Sequence, residues 1–342
     1  MEPAPSRQLR ALRRELIEQF PIRPAFYWSD LFASATIGWT SFAVAAATSL
    51  PAPMVMLAVV VASLSLWRAA YFVHEISHQG RALPGFELVW NAVAGVWLMM
   101  PSFMIDAHVD HHRTATYGTP ADPEYEPVAR YSRARLVASV AVTLVVPPLL
   151  VLRFAVIAPL SFVVAPLRRL ALERMSALVT NERFRDRKRS STTRTVTLEL
   201  ACAVVAWMVA IACVRGDLPL RVPIVWYAVT SLALACNQAR TLVSHAYAGS
   251  GSPMSLEAQV ADSATIDGPA WSTGLFHPVG TRFHAIHHLA PSLPYHALPA
   301  AHRWMLNRGV QGAYRATEQH GFASALRALW MRARKAPREP TD

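Results

Sequence analysis

Eight of the chain's 13 histidines fall in three five-residue clusters: His74-Glu75-Ile76-Ser77-His78, His108-Val109-Asp110-His111-His112 and His284-Ala285-Ile286-His287-His288. Uniform scatter would place about 0.6 of a histidine in those positions at this composition, so the clusters are purposeful. On a helix, residues i, i+3 and i+4 share one face. His74 and His78 therefore point together, as do His108, His111 and His112, and His284, His287 and His288. Neutral imidazoles suit zinc, copper, iron or nickel. Eight are too many for one ion but enough for two with positions left open. His245, in Arg240-Thr241-Leu242-Val243-Ser244-His245, would make a ninth. His277, His296 and His302 read as hydrogen-bonded structural residues, and His320 as an exposed one. Asp106, Asp110, Asp122 and Asp262 qualify by type to receive the second ring N–H of a metal-bound histidine. His74-Glu75-x-x-His78 also fits the zinc-protease pattern, with Glu75 as general base. A zinc protease, however, has no use for two further clusters of three.

These clusters need elements to position them. Of 342 residues, 53% are hydrophobic and 16% charged, against roughly 25% charged in a typical soluble protein. The apolar residues are clumped, which indicates an integral membrane protein. A bilayer crossing needs about 20 apolar residues. Phe32 to Leu50 and Met54 to Val73, joined by a turn at Pro51 and Pro53, read as one helical hairpin, with Arg68 placed to reach the interface. Thr195 to Val214 and Val222 to Ala239 read as a second. The expected fold is therefore all-α, with two transmembrane hairpins, interfacial helices and a cytoplasmic histidine-rich cap. Expected boundaries are an N-terminal segment 1–31 with a short amphipathic helix over Arg7 to Phe20, a membrane domain 32–305 and a C-terminal tail 306–342.

Two stretches are ambiguous: Leu88 to Ile105, which carries Asn91 and Pro101, and Leu136 to Leu167, which carries Arg153 and four prolines. One metal site must gather all three clusters on one side. Each stretch must then cross an even number of times, and zero is the economical solution. Residues 1–31 carry five arginines and residues 168–194 nine basic residues, which places both termini and the site in the cytoplasm. The net charge of +11 is explained by this topology and by anionic headgroups, so no nucleic-acid partner is expected. The first 31 residues lack the apolar core of a cleavable signal. Cys202, Cys213 and Cys236 are too few for a four-cysteine zinc or iron–sulfur site and sit in apolar runs as core residues. The middles of the four spans lack histidine, aspartate and glutamate, which argues against a metal carrier.

The three boxes, their order and the paired hairpins resemble the membrane fatty acid desaturases and their hydroxylase relatives over roughly residues 30–305. Pro278 to Leu289, followed by Pro294-Tyr295-His296, and Asp122-Pro123-Glu124-Tyr125 are similar to bacterial members. The resemblance implies two non-haem irons and O2 as cosubstrate, in a bacterial inner membrane. The implied ligands are His74, His78, His108, His111, His112, His284, His287 and His288, with His245 as the extra histidine. It implies an acyl-lipid substrate and a separate electron donor (a ferredoxin, rubredoxin or cytochrome b5-like protein) with its reductase. Desaturation of an acyl chain is the leading expectation. Hydroxylation or ketolation of a lipid, alkane or terpenoid is the alternative, and the zinc protease a remote one. The first box has three residues between its histidines, a spacing found in several branches, and leaves the reaction outcome open.

Overall fold

The computed structural model describes residues 4–47, 50–187, 189–308 and 312–333. Residues 48–49 near the end of the first expected span, Lys188 of the basic loop, residues 309–311 and the ends of both terminal segments lie outside these. Helix α1 (Ala4–Gln19) covers the expected amphipathic segment and buries Leu16. Helices α2 (Pro24–Ala46) and α3 (Ala52–Gln79) form the first hairpin. Their axes approach closely at Gly38, where a Cβ would lie 2.6 Å from the Leu66 side chain. Small residues serve this purpose in membrane helix pairs.

Helix α2 starts eight residues before the expected span and takes in Asp30. Arg68 does not reach for the interface alone. Its Nε and Nη2 donate to the Asp30 carboxylate at 2.7 and 2.5 Å, and the Tyr295 hydroxyl donates to the same group at 2.8 Å. Burial of each charge is thus offset by a partner on the opposite arm.

The stretch 88–105 does not run straight. Helix α4 (Phe86–Trp90) passes into a π-turn at Asn91–Gly95, and the chain reverses through Met99, whose φ is 57°, before Pro101. Asn91 holds the break. It donates to Glu87 O and Ser102 Oγ, and its Oδ1 accepts Ser102 N at 2.9 Å. Residues 86–99 reach only about 21 Å at 1.5 Å per residue, short of the roughly 30 Å hydrocarbon core. As a helix this stretch is too short to cross. Helix α5 (His108–His111) follows.

Helix α6 (Arg133–Ala141), helix α7 (Val146–Leu152) and helix α8 (Ala158–Ser161) make up a bent apolar pair, 133–144 and 146–161, with 42° between its arms. Helix α9 (Ala165–Arg174) leads to the second hairpin, α10 (Thr193–Arg215) and α11 (Arg221–Thr241). Buried Arg153 on the bent pair donates to Glu199 of α10 at 2.5 Å, and Arg168 donates to the same carboxylate at 2.6 Å.

Among the described residues, three helices are long and apolar enough to cross a bilayer: 52–82, α10 and α11. The bent pair would be a fourth if it crosses. Helix α2, expected as the first span, is not among them. Asp30 and its serines, threonines and glycine dilute its apolar character.

The chain is mostly helical as expected, and the cap after α11 adds one short two-stranded pair. Strand β1 (Thr265–Asp267) pairs in parallel with β2 (Glu318–His320), Thr265 opposite Glu318. Each strand has three residues, too few to print an alternating pattern. The backbone leading into β1 staples two histidine segments. Ala246 N donates to Asp262 O and Ala264 N to Ser244 O, while Ala285 N donates to Ala264 O. Helices α12 (Leu256–Asp262), α13 (Ala270–Phe276) and α14 (His284–Leu289) lie in this region, and helices over Leu298–Asn307 and Phe322–Ala333 follow.

Candidate metal centre

Helix α3 carries His74 and His78 on one face of its last two turns. Helix α5 supplies His108 and His111, and its C-cap supplies His112. Helix α14 supplies His284, His287 and His288. His245 follows α11 and is held by its backbone bridge to Ser263. All nine imidazoles converge in two groups, His74, His78, His108, His112 and His287, and His111, His245, His284 and His288. Within each group the candidate ligand atoms lie within 4.8 Å of one another. The second group is fully buried, whereas His78 and His112 of the first are half-buried. The groups abut, with 4.5 Å between the ring centroids of His112 and His288.

Nitrogen-to-nitrogen distances test whether this cage suits metal ions. His112 Nε2 lies 2.9 Å from His108 Nε2 and 3.1 Å from His287 Nε2. His245 Nε2 lies 3.2 Å from His111 Nε2 and 2.9 Å from His284 Nε2, which is itself 3.2 Å from His288 Nε2. An imidazole nitrogen offers one proton or one lone pair. Three of these nitrogens face two others each, so hydrogen bonding alone leaves lone pairs opposed. A shared ion about 2.0–2.1 Å from each nitrogen brings cis ligands about 3 Å apart. His74 Nε2 and His78 Nε2 are buried without a hydrogen-bond partner, a costly state in the absence of a ligand. The donor set fits two nitrogen-loving ions side by side.

Three of the far ring nitrogens, those of His111, His108 and His245, are met by carboxylates or by a carboxylate-bound tyrosine. His111 Nδ1 faces both oxygens of fully buried Asp122, at 2.9 and 3.1 Å. Asp122 also accepts backbone N–H from Gly118, Glu124 and Tyr125. His108 Nδ1 faces Glu124 Oε1. His245 Nδ1 meets the Tyr117 hydroxyl at 2.8 Å, and that hydroxyl donates to Asp262 Oδ2 at 2.8 Å. Of the four aspartates singled out by type, Asp122 and Asp262 therefore face the cage. Asp106 pairs instead with Arg189 and Arg194, and Asp110 with Arg113.

Glu124 and Tyr117 were missed as orienting residues. Asp122-Pro123-Glu124-Tyr125 was the available signal, because a proline-interrupted turn beside a histidine box can aim two carboxylates at it. His296 accepts Arg23 N, and His302 meets the Tyr314 hydroxyl, while His277 is buried among the α13 residues and Phe322. None of these three, nor His320, joins either group. Glu75 borders the cage, with its Oε1 3.5 Å from His74 Nδ1, but its other oxygen is turned away from the imidazoles. It accepts the Tyr27 hydroxyl at 2.7 Å and Tyr295 N at 3.3 Å, so it is occupied in holding α2 and the cap to α3.

Burial, then the neighbouring imidazoles, keeps His112, His245, His284, His287 and His288 well below the usual histidine range. Burial also depresses His111, but Asp122 outweighs it and lifts this one above that range. Burial would raise Glu124, and His108 instead draws it down to about 2. The five depressed histidines stabilise the fold fully above pH 6.5, where the unfolded chain is also neutral, and that stability is lost as pH falls. His111 acts oppositely, contributing below 6.5 and fading as pH rises through its folded value. Glu124 adds acid lability in a lower window, from 4.5 towards about 2. Five against one, the metal-free protein in detergent is expected to lose Tm steadily from pH 6.5 to 5. A scanning fluorimetry series that is flat or rises on acidification would contradict this balance.

A cavity of 550 Å³ opens on the cage at His74 and His108. Leu66, Trp90, Leu98, Val229 and Leu234 line its apolar part, between α3, the π-turn, the bent pair and α11. Glu126, Tyr131, Arg135 and Glu182 form a polar rim, of which Arg135 and Glu182 are exposed. The apolar part can take a hydrocarbon chain and the rim its polar end.

The family model described as fatty acid desaturase matches residues 47–320. A curated relative, described as a ceramide hydroxylase of Caulobacter vibrioides (strain NA1000 / CB15N), is 37% identical over 334 residues, 96% of this chain and 94% of the relative.

Proposed function

The chain belongs to the fatty acid desaturase family, and from that premise we propose that it is a non-haem di-iron monooxygenase hydroxylating a ceramide-type lipid, a long-chain base carrying an amide-linked acyl chain. The family makes it an oxidoreductase of lipid metabolism and, with its apolar helices, an integral membrane protein. The protease alternative falls with the family assignment and with the engagement of Glu75. The observation that carries the reading is the near full-length relationship to a ceramide hydroxylase, which leaves out too few residues to miss the cage or the cavity. Hydroxylation therefore replaces desaturation as the leading outcome, and desaturation becomes the alternative fate of the same hydrogen abstraction.

Bound iron would supply, from O2 and two external electrons, the oxidising power to break an unactivated C–H bond. The balance is one C–H, O2, two electrons and two protons giving one C–OH and one water. The chain's own part is positional. His74, His78, His108, His112 and His287 would hold one ion, and His111, His245, His284 and His288 the other. Asp122, Glu124 and the Tyr117–Asp262 pair fix ring orientation and keep each far nitrogen protonated. The apolar cavity strips water from the hydrocarbon chain and holds it beside the cage. The electrons would come from a separate donor, and the arginine-rich segments support a cytoplasmic cage in a bacterial inner membrane.

The test is turnover of a ceramide by the protein in nanodiscs, with a reconstituted donor and oxygen-18 gas. One oxygen-18 atom in the product is the expected result. Loss of two hydrogens without oxygen would make the enzyme a desaturase. Oxidation of phospholipid acyl chains with ceramide untouched would overturn the substrate class.

A further inference from the structure

Arg240 closes the last turn of α11 beside the cage and is 5% exposed. A guanidinium stays charged in any protein environment, and burying a charge is costly unless a counter-charge or strong acceptors meet it. Arg240 has no carboxylate partner among the described residues. Its Nε, Nη1 and Nη2 donate to neutral oxygens, Asn237 Oδ1 at 3.3 Å, Ser244 Oγ at 3.1 Å and Thr241 Oγ1 at 2.9 Å. Glu124, which feels its charge, is engaged by His108. The other buried arginine that lies deep among apolar helices, Arg153, has its glutamate. Arg240 also lines the 550 Å³ cavity, on the same stretch of wall as Tyr71 and His74.

We propose that Arg240 receives the amide carbonyl oxygen of the lipid and so sets which carbon faces the cage. This rests on the hydroxylase reading above. A carbonyl oxygen is a further acceptor for the guanidinium beside its three side-chain partners, and a neutral lipid can supply it without bringing a second buried charge. The position also fixes a distance. The guanidinium carbon lies 5.0 Å from the Tyr71 ring centroid, and that ring lies 5.5 Å from the His74 ring. The guanidinium and the His74 ring are thus no more than about 10.5 Å apart. A hydrogen bond of roughly 2.9 Å at one end and a metal–nitrogen bond of roughly 2.1 Å at the other take up half of that span. The oxidised carbon then lies within a few bonds of the carbonyl, on the acyl or the base side. The distal chain occupies the Leu66–Leu98–Val229 part of the cavity, and the hydroxyls of the base face the polar rim.

The experiment compares two lipids on the unaltered protein in nanodiscs, a ceramide and a matched analogue whose amide is replaced by an ether, and locates the new hydroxyl by fragmentation mass spectrometry. The ceramide is expected to be hydroxylated at one position close to the carbonyl. The ether analogue should show a KM raised about 10–100-fold, the value of a charge-assisted hydrogen bond, with its hydroxyl scattered over several carbons. Arg240→Gln should reproduce both effects on ceramide with iron content unchanged, and Arg240→Lys should recover part of the KM. A merely structural arginine would not move the site of oxidation. A mid-chain hydroxyl on ceramide, or equal KM and position for the two lipids, would overturn the assignment even if the variants do not fold. No oxygenated product from either lipid would overturn the hydroxylase reading, and this one with it.

Discussion

Replacing His111 with alanine is expected to abolish lipid oxidation and to lower iron from about two per chain towards one, the donor set implying two. His111 joins the fully buried group, with its Nε2 3.2 Å from that of His245. Its loss leaves three imidazoles in that group. Supporting residues around metal ligands typically cost 10–100-fold when removed, and a ligand costs more. The first group, His74, His78, His108, His112 and His287, keeps all its nitrogens, so one iron should remain. Elemental analysis with Mössbauer spectroscopy of an iron-57 sample separates the cases. The variant should show an uncoupled single iron and no product. Turnover retained with that iron lost would refute the assignment of His111 to the reaction.

Asp122→Asn should be nearly as damaging without touching a ligand. The carboxylate is 0% exposed and accepts from four donors: His111 Nδ1 and the backbone N–H of Gly118, Glu124 and Tyr125. An amide keeps the shape but has only one acceptor oxygen. Its NH2 must then face a backbone N–H, Gly118 in one orientation, Glu124 and Tyr125 in the other. The turn carrying Glu124, which orients His108, is disturbed along with His111. A fall of about 10–100-fold in iron affinity or activity is expected, with a lower Tm in the metal-free protein. Tyr125→Phe removes one donor from Asp262 and leaves Asp122 in place, so it should lose far less. Equal losses in the two variants would show that the region is sensitive as a whole and that Asp122 has no particular role.

Several features of the site were legible because they are local. The i, i+3, i+4 spacing within each box follows from helix geometry alone, and the three boxes do lie on or at the ends of α3, α5 and α14. His245 was legible as the histidine just past the last apolar helix. The second hairpin was placed within two residues at each end, since uncharged runs of bilayer length have few other uses. In the stretch 88–105, Asn91 and Pro101, the residues that made it ambiguous, flank the reversal at Met99. Helix α2 was drawn too late because Asp30 looked like a boundary, and its partner Arg68 is 38 residues away.

Other decisions needed the folded chain. Nothing in the spacing says which histidines share an ion. His111 and His112 are neighbours in sequence and belong to different groups, because adjacent residues on a helix point about 100° apart. Nor does residue type separate Asp122 and Asp262, which face the cage, from Asp106 and Asp110, which pair with arginines. Arg240 reads as one more basic residue at the end of a span until its hydrogen-bond partners are seen to be neutral. A sequence records periodicities within one element, and so it determined the boxes and the apolar helices. Pairings between elements depend on long-range packing, and so only the tertiary structure decided the grouping of the histidines, their carboxylate partners and the cavity that opens on them.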